Sequence, residues 1–168
     1  MMVADPAHDR LPPLGPDKVL AIGVYGETVA AYRYLVLSER APTAEERRAF
    51  AAMADEEQDH KQRLQRLSAD LFPGADFVLS AEDKALVVSG PRLIDVRGRA
   101  DYESAMRMIL LTERLTAAFY AQQCRQVEQP VLRDLFHELA EEGADHYQRL
   151  RKLAGDLGIA TAADDAKG

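Results

Sequence analysis

A single cysteine, Cys124, and no tryptophan occur in a chain of 168 residues. One thiol excludes a disulfide framework and any metal knuckle built on paired Cys-x-x-Cys motifs. Basic side chains are the minority, 21 Lys and Arg against 28 Asp and Glu, for a net charge of −7. No basic cluster offsets that balance, so no nucleic-acid surface is expected. No apolar run approaches the roughly 20 residues that cross a bilayer, and the Pro-rich start lacks the apolar centre of a secretory signal. The expected location is the cytoplasm, with no membrane span. What is present is ordinary for a globular protein: 47% hydrophobic and 29% charged residues, enough for one domain with its own core.

The informative stretch is Met53–Leu64. At helical period Phe50, Met53, Glu57, His60, Leu64, Leu67 and Leu71 share one stripe, the seam of a packed helix. Glu57 and His60 interrupt it one turn apart and point the same way. A carboxylate buried on an apolar seam is costly unless something pairs it, and a metal ion is one answer. Glu-x-x-His on inward helix faces is how carboxylate-bridged two-metal bundles present their ligands.

The stretch recurs. A constant offset of 86, the distance from His60 to His146, carries His60–Leu64 onto His146–Leu150 with Gln62, Arg63 and Leu64 matched. It also carries Glu27 to Glu113, Tyr34 to Tyr120, Arg47 to Arg133 and Phe50 to Phe136. The chain therefore contains an ungapped duplication of a helix pair.

Taken in order, residues 1–15 read as a flexible arm and residues 16–158 as a bundle of four long helices. Residues 16–71 form the first helix pair, broken at Ala41-Pro42, where Thr43-x-x-Glu46 caps the second helix. Residues 72–100 form a long crossover in which Ser80-x-x-Asp83 starts a short helix. Residues 101–158 form the second pair, with Pro130 in the first turn of its second helix and Gly158 closing it. Residues 159–168 read as a frayed tail. In the crossover, Leu86-Val87-Val88 and Leu93-Ile94 exceed what one bundle needs to cover itself, and an exposed apolar patch predicts a symmetric homodimer.

Each half supplies one carboxylate from its first helix and one histidine from its second. The candidate metal ligands are Glu27, Glu57, His60, Glu113 and His146, with Glu142 as a further candidate. Carboxylate oxygen and imidazole nitrogen suit iron or manganese, and zinc can also bind. Tyr34 and Tyr120, two turns from Glu27 and Glu113, are expected as core tyrosines with hydrogen-bonded hydroxyls beside the ligands. His137, Asp59 and Asp145 are expected in solvent.

These residues carry a family resemblance. Gly26-Glu27 with Ala30-Ala31-Tyr32, then Glu57-x-x-His60, Glu113 with Tyr120, and His146, resemble the rubrerythrin-type di-iron domain of the ferritin-like superfamily over roughly residues 17–157. The resemblance implies an all-α, ferritin-like four-helix bundle holding two iron ions, or one. It implies an oxidoreductase acting on peroxide, oxygen or ferrous iron, with a separate electron donor. A metal-binding bundle without turnover and a di-iron hydroxylase are the alternatives. The chain departs from the family pattern at three places. Gly143 stands where the last Glu-x-x-His needs its glutamate, Thr116 replaces a second third-helix glutamate, and the cysteine-rich iron module is missing.

Overall fold

The computed structural model describes residues 14–159. Its helices are α1 (Pro16–Arg40), α2 (Ala44–Leu71), the short α3 (Ala81–Ala85), α4 (Arg99–Gln126) and α5 (Pro130–Asp156), and no strand occurs among the described residues. Nearly all of the expected arm and all but one residue of the expected tail lie outside the described residues. The exception in the tail is Ile159, which is buried in the core.

Local chemistry sets the helix ends. Pro16 opens α1, where its missing N–H has no helical partner to lose. Pro42 disfavours helical backbone at Ala41, which is extended at ψ 147°. The Thr43 hydroxyl accepts from the Glu46 N–H at 3.1 Å and caps α2. Ser80 and Asp83 form a complete reciprocal cap on α3, each side chain accepting from the other's backbone N–H. Helix α2 gives way at Phe72-Pro73-Gly74, where Gly74 takes φ +78°.

The helices pack chiefly as α1 on α2 and α4 on α5, joined by connections of a few residues. Two apolar clusters fill the bundle. One gathers Leu37, Phe50, Met53, Met106 and Leu150; the other gathers Leu20, Leu64, Phe119, Leu132 and Phe136. On α2, α4 and α5 the side chains pass from one cluster to the other across a short polar interval. Glu57 and His60, Glu113, and Gly143 with His146 occupy those intervals.

The crossover narrows one expectation. Of its apolar run, Val87 and Val88 are buried in the chain's own core, while Leu86 and Leu93 are 42% and 60% exposed; Val78, earlier in the segment, is exposed too. The seat for Val87 is Gly26 of α1, where a Cβ would come within 3.0 Å of the valine side chain. Buried Arg33 then ties the segment down, donating to the Ser89 carbonyl at 2.8 Å, the Pro91 carbonyl at 2.7 Å and the Thr112 hydroxyl at 3.0 Å. Thr116 adds a bond to the Val87 carbonyl at 3.2 Å. The crossover thus covers the α1/α4 side of the bundle. Arg33→Met should cost about 2–4 kcal/mol, because two loop carbonyls lose a charged donor. Urea titration measures the loss. Hydrogen exchange should quicken at residues 87–91 well before α2 and α5; uniform loosening would contradict the pinning role.

Candidate metal centre

Five side chains from four helices converge in the polar layer. Glu27, Glu57, His60, Glu113 and His146 are each 5% exposed or less. Two triads, Glu27–Glu57–His60 and Glu57–Glu113–His146, each offer ligand atoms within 4.8 Å of one another. Glu57 belongs to both. Its Oε2 lies 3.2 Å from His60 Nδ1 and its Oε1 2.6 Å from His146 Nδ1. Glu27 and Glu113 stand farther out, each 3.6 Å from the Nδ1 of its own histidine. The imidazoles stack with centroids 5.7 Å apart.

The surroundings repeat the duplication crosswise. Tyr34 donates to Glu113 at 2.5 Å, and Tyr120 donates to Glu27 at 2.7 Å. Each tyrosine orients the carboxylate of the other half. The outer nitrogens are held the same way: His146 Nε2 meets Glu56 at 2.6 Å, and His60 Nε2 meets Glu142. Arg149 grips Glu56 with both guanidinium nitrogens at 3.2 and 2.6 Å, while Arg63 joins Glu142 to Glu138 at 2.8 and 3.1 Å.

Glu142, the sixth sequence candidate, is in neither triad. One residue turns a helix by about 100°, and α5 runs unbroken through this level. Its carboxylate therefore faces the back of His60, not the Nδ1 side. Glu56, Arg63 and Arg149 were not among the sequence candidates, although the same offset of 86 carries Glu56 to Glu142 and Arg63 to Arg149. His137, Asp59 and Asp145 are exposed and pair along their own helices, as expected for solvated groups.

The protonation pattern follows from burial and neighbours. Burial, then the Glu57 charge, pushes Glu27 up to about 8. Burial would raise Glu57 as well, but Glu27 and the two histidines beside it hold it low. Burial works against the imidazolium forms, yet the carboxylates prevail and raise His60 to about 10 and His146 to about 11. The Arg149 bond takes Glu56 down to about 2. Burial first, then the facing glutamates, raises both tyrosine hydroxyls well above their usual range, so they stay donors.

The residues fit a pair of divalent ions. Two overlapping triads of hard oxygen and imidazole nitrogen match the donors iron and manganese take. His146 Nδ1 is buried with no aligned hydrogen-bond partner, as a nitrogen kept for a metal would be. Each outer Nε2 is fixed by a carboxylate, an arrangement that sets imidazole orientation at metal sites. A cavity of about 590 Å³ opens onto this layer between α2 and α5, lined by His60, Glu56, Glu142 and both arginines. Glu142→Gln should cost about 10–100-fold in metal affinity through loss of orientation at His60. A competitive chelator titration measures this, and an unchanged affinity would mean the carboxylate is a bystander.

The sequence model of the family described as Rubrerythrin matches residues 18–154. A hypothetical protein from Pyrococcus furiosus superposes with TM-score 0.70 at 24% identity, covering 83% of this chain and 87% of that one. Wild-type KatB, a manganese catalase from Anabaena, superposes with TM-score 0.62 at 16% identity, covering 95% and 82%. Both share the fold. No curated protein matches the chain.

Proposed function

Since the chain belongs to the rubrerythrin family, we propose that it is a peroxide-consuming oxidoreductase whose two metal ions are held by Glu27, Glu57, His60, Glu113 and His146. The observation that carries this reading is the pair of buried triads sharing Glu57. A bound pair of iron or manganese ions supplies a reservoir of two electrons. The chain's own residues hold that pair, orient it through Tyr34, Tyr120, Glu56 and Glu142, and leave one approach between α2 and α5.

Peroxide disproportionation suits this chain best among the family-like reactions. In 2 H2O2 → 2 H2O + O2 one peroxide is reduced and the next oxidised, so electrons and protons balance without a separate donor. One protein of like fold is a manganese catalase. A cycle that reduces peroxide only to water needs the separate donor. A lipid-like hydroxylase substrate draws no support, because charged side chains line the opening. The test is oxygen evolution from hydrogen peroxide by protein loaded with manganese, and separately with iron. Full metal content with no oxygen evolved and no peroxide consumed would leave a metal-binding bundle without turnover.

We also propose a cytoplasmic homodimer; no described helix is long and apolar enough to cross a membrane. Its contact edge would be the exposed Leu86 and Leu93, and a monomer mass by light scattering at micromolar protein refutes it.

A further inference from the structure

The duplication repeats the two tyrosine contacts but not the space that each hydroxyl occupies. Tyr34 of α1 donates to Glu113 at 2.5 Å, and Tyr120 of α4 donates to Glu27 at 2.7 Å. On the helix that carries the accepting glutamate, the residue one turn earlier differs between the halves. It is Gly23 before Glu27 and Ile109 before Glu113, positions that the offset of 86 pairs. Both are buried, so solvent exposure does not account for the difference.

A side chain at Gly23 would crowd the Tyr120 hydroxyl. A Cβ built there meets Tyr120 Oη at 3.0 Å and the two Leu64 methyls at 3.1 and 3.4 Å. Residues four apart share a helix face, so the hydroxyl lies in a notch on α1 between Gly23 and Glu27. The Tyr120 ring is held there: it is 1% exposed, stacked on Phe136 with centroids 6.0 Å apart, and edge-on to Phe119 at 5.5 Å. Among the described residues, Tyr120 is the one hydrogen-bond donor to Glu27 from outside the ligand set.

We propose that Gly23 is a positioning residue for the metal centre: it keeps open the notch in which Tyr120 meets Glu27, and so sets the Glu27–Glu57–His60 triad. This rests on the two-metal reading above. The other triad has no such dependence, since Tyr34 reaches Glu113 on a helix that carries isoleucine at the matching place. A methyl at Gly23 lifts the Tyr120 hydroxyl off α1, lengthens its bond to Glu27 and lets that carboxylate turn away from the metal. Alanine is the better helix former, so a loss of metal affinity would run against the local gain in helix stability.

The experiment reads one triad at a time. Glu113→Gln leaves the Glu27 triad to bind one manganese ion, and Glu27→Gln leaves the Glu113 triad. Gly23→Ala, Tyr120→Phe and their combination are made in the full chain on both backgrounds, and manganese affinity is measured by competitive chelator titration. On Glu113→Gln, Gly23→Ala and Tyr120→Phe should each weaken binding about tenfold, the low end of what an orienting partner is worth. The combination should bind no more weakly than Tyr120→Phe alone, because the phenyl ring lacks the oxygen that the methyl displaces. On Glu27→Gln, Gly23→Ala should leave affinity unchanged. Unchanged affinity on Glu113→Gln, equal loss on both backgrounds, or additive loss in the combination overturns the proposal and spares the metal reading. If Gly23→Ala fails to fold, adding Tyr120→Phe should restore the melting transition; continued failure places the clash at Leu64 and overturns the proposal. Failure of both backgrounds to take up manganese overturns the two-metal reading as well.

Discussion

Glu57→Gln should strip the protein of both metal ions. Glu57 is the one residue common to the two triads, with one oxygen directed at each histidine's Nδ1. Replacing Glu27 or Glu113 removes a ligand from a single triad, so each of those variants should keep one ion. The amide retains shape but loses charge, leaving two carboxylates against a full metal pair. The loss of affinity should exceed the roughly 10–100-fold that outer partners are worth. Metal-free stability should fall as well near neutral pH. Glu57 is one of the carboxylates that hold His60 and His146 in their charged forms, and a buried charge that loses its partner is costly. Glu57→Gln should therefore melt below wild type in chelator as well as with metal. Metal analysis of the three glutamine variants with paired melting curves checks this. Equal metal loss in all three would mean that Glu57 is not shared.

Removing metal should lower the melting temperature, and by more as pH rises. Three groups in the layer have raised pKa values in the fold: Glu27 to about 8, His60 to about 10 and His146 to about 11. For a raised group, the stabilising contribution is complete below its unfolded value, and it is lost as pH climbs through the folded one. The metal-free protein should thus weaken steadily from about pH 6.5 to pH 9. Glu56 has the opposite sign. Its value near 2 means that its contribution is present above the ordinary carboxylate range and is lost only as pH falls towards 2, outside this window. Metal replaces the protons of Glu27, His60 and His146, so loaded protein escapes the decline and metal uptake releases protons. At 100 times the dissociation constant, binding adds about 2.7 kcal/mol, or about 5–10 °C for a domain of this size. Scanning calorimetry with and without chelator at pH 6.5 and 9 measures both gaps. A gap that narrows at the higher pH, or none at all, contradicts the account.

Much of this was legible in the sequence because the signals were local or periodic. Pro42, Thr43 and Ser80 act on their own helix ends, and the offset of 86 paired Glu27 with Glu113 and His60 with His146 before any packing was known. The same offset pairs Glu56 with Glu142, yet both are off the seam, where a glutamate usually means solvent. Only the side chains of the opposite helix reveal them as partners of His146 and His60. Arg33 was invisible for another reason. Its acceptors are the carbonyls of Ser89 and Pro91, more than fifty positions away, and no periodicity encodes a loop carbonyl. The crossover was only half legible, because an apolar run reads alike whether it faces a partner or its own bundle. For Val87 the seat is left by Gly26, which has no side chain there.

The central claim is that two metal ions lie in the layer between the apolar clusters, joined by Glu57. Anomalous scattering from crystals grown with manganese, and separately with ferrous iron, tests it most directly. The account predicts two peaks per chain, one within bonding distance of Glu27, Glu57 and His60 Nδ1, the other of Glu57, Glu113 and His146 Nδ1. A single peak at Glu142 and the outer Nε2 of His60, or none in the layer at full metal exposure, would contradict it.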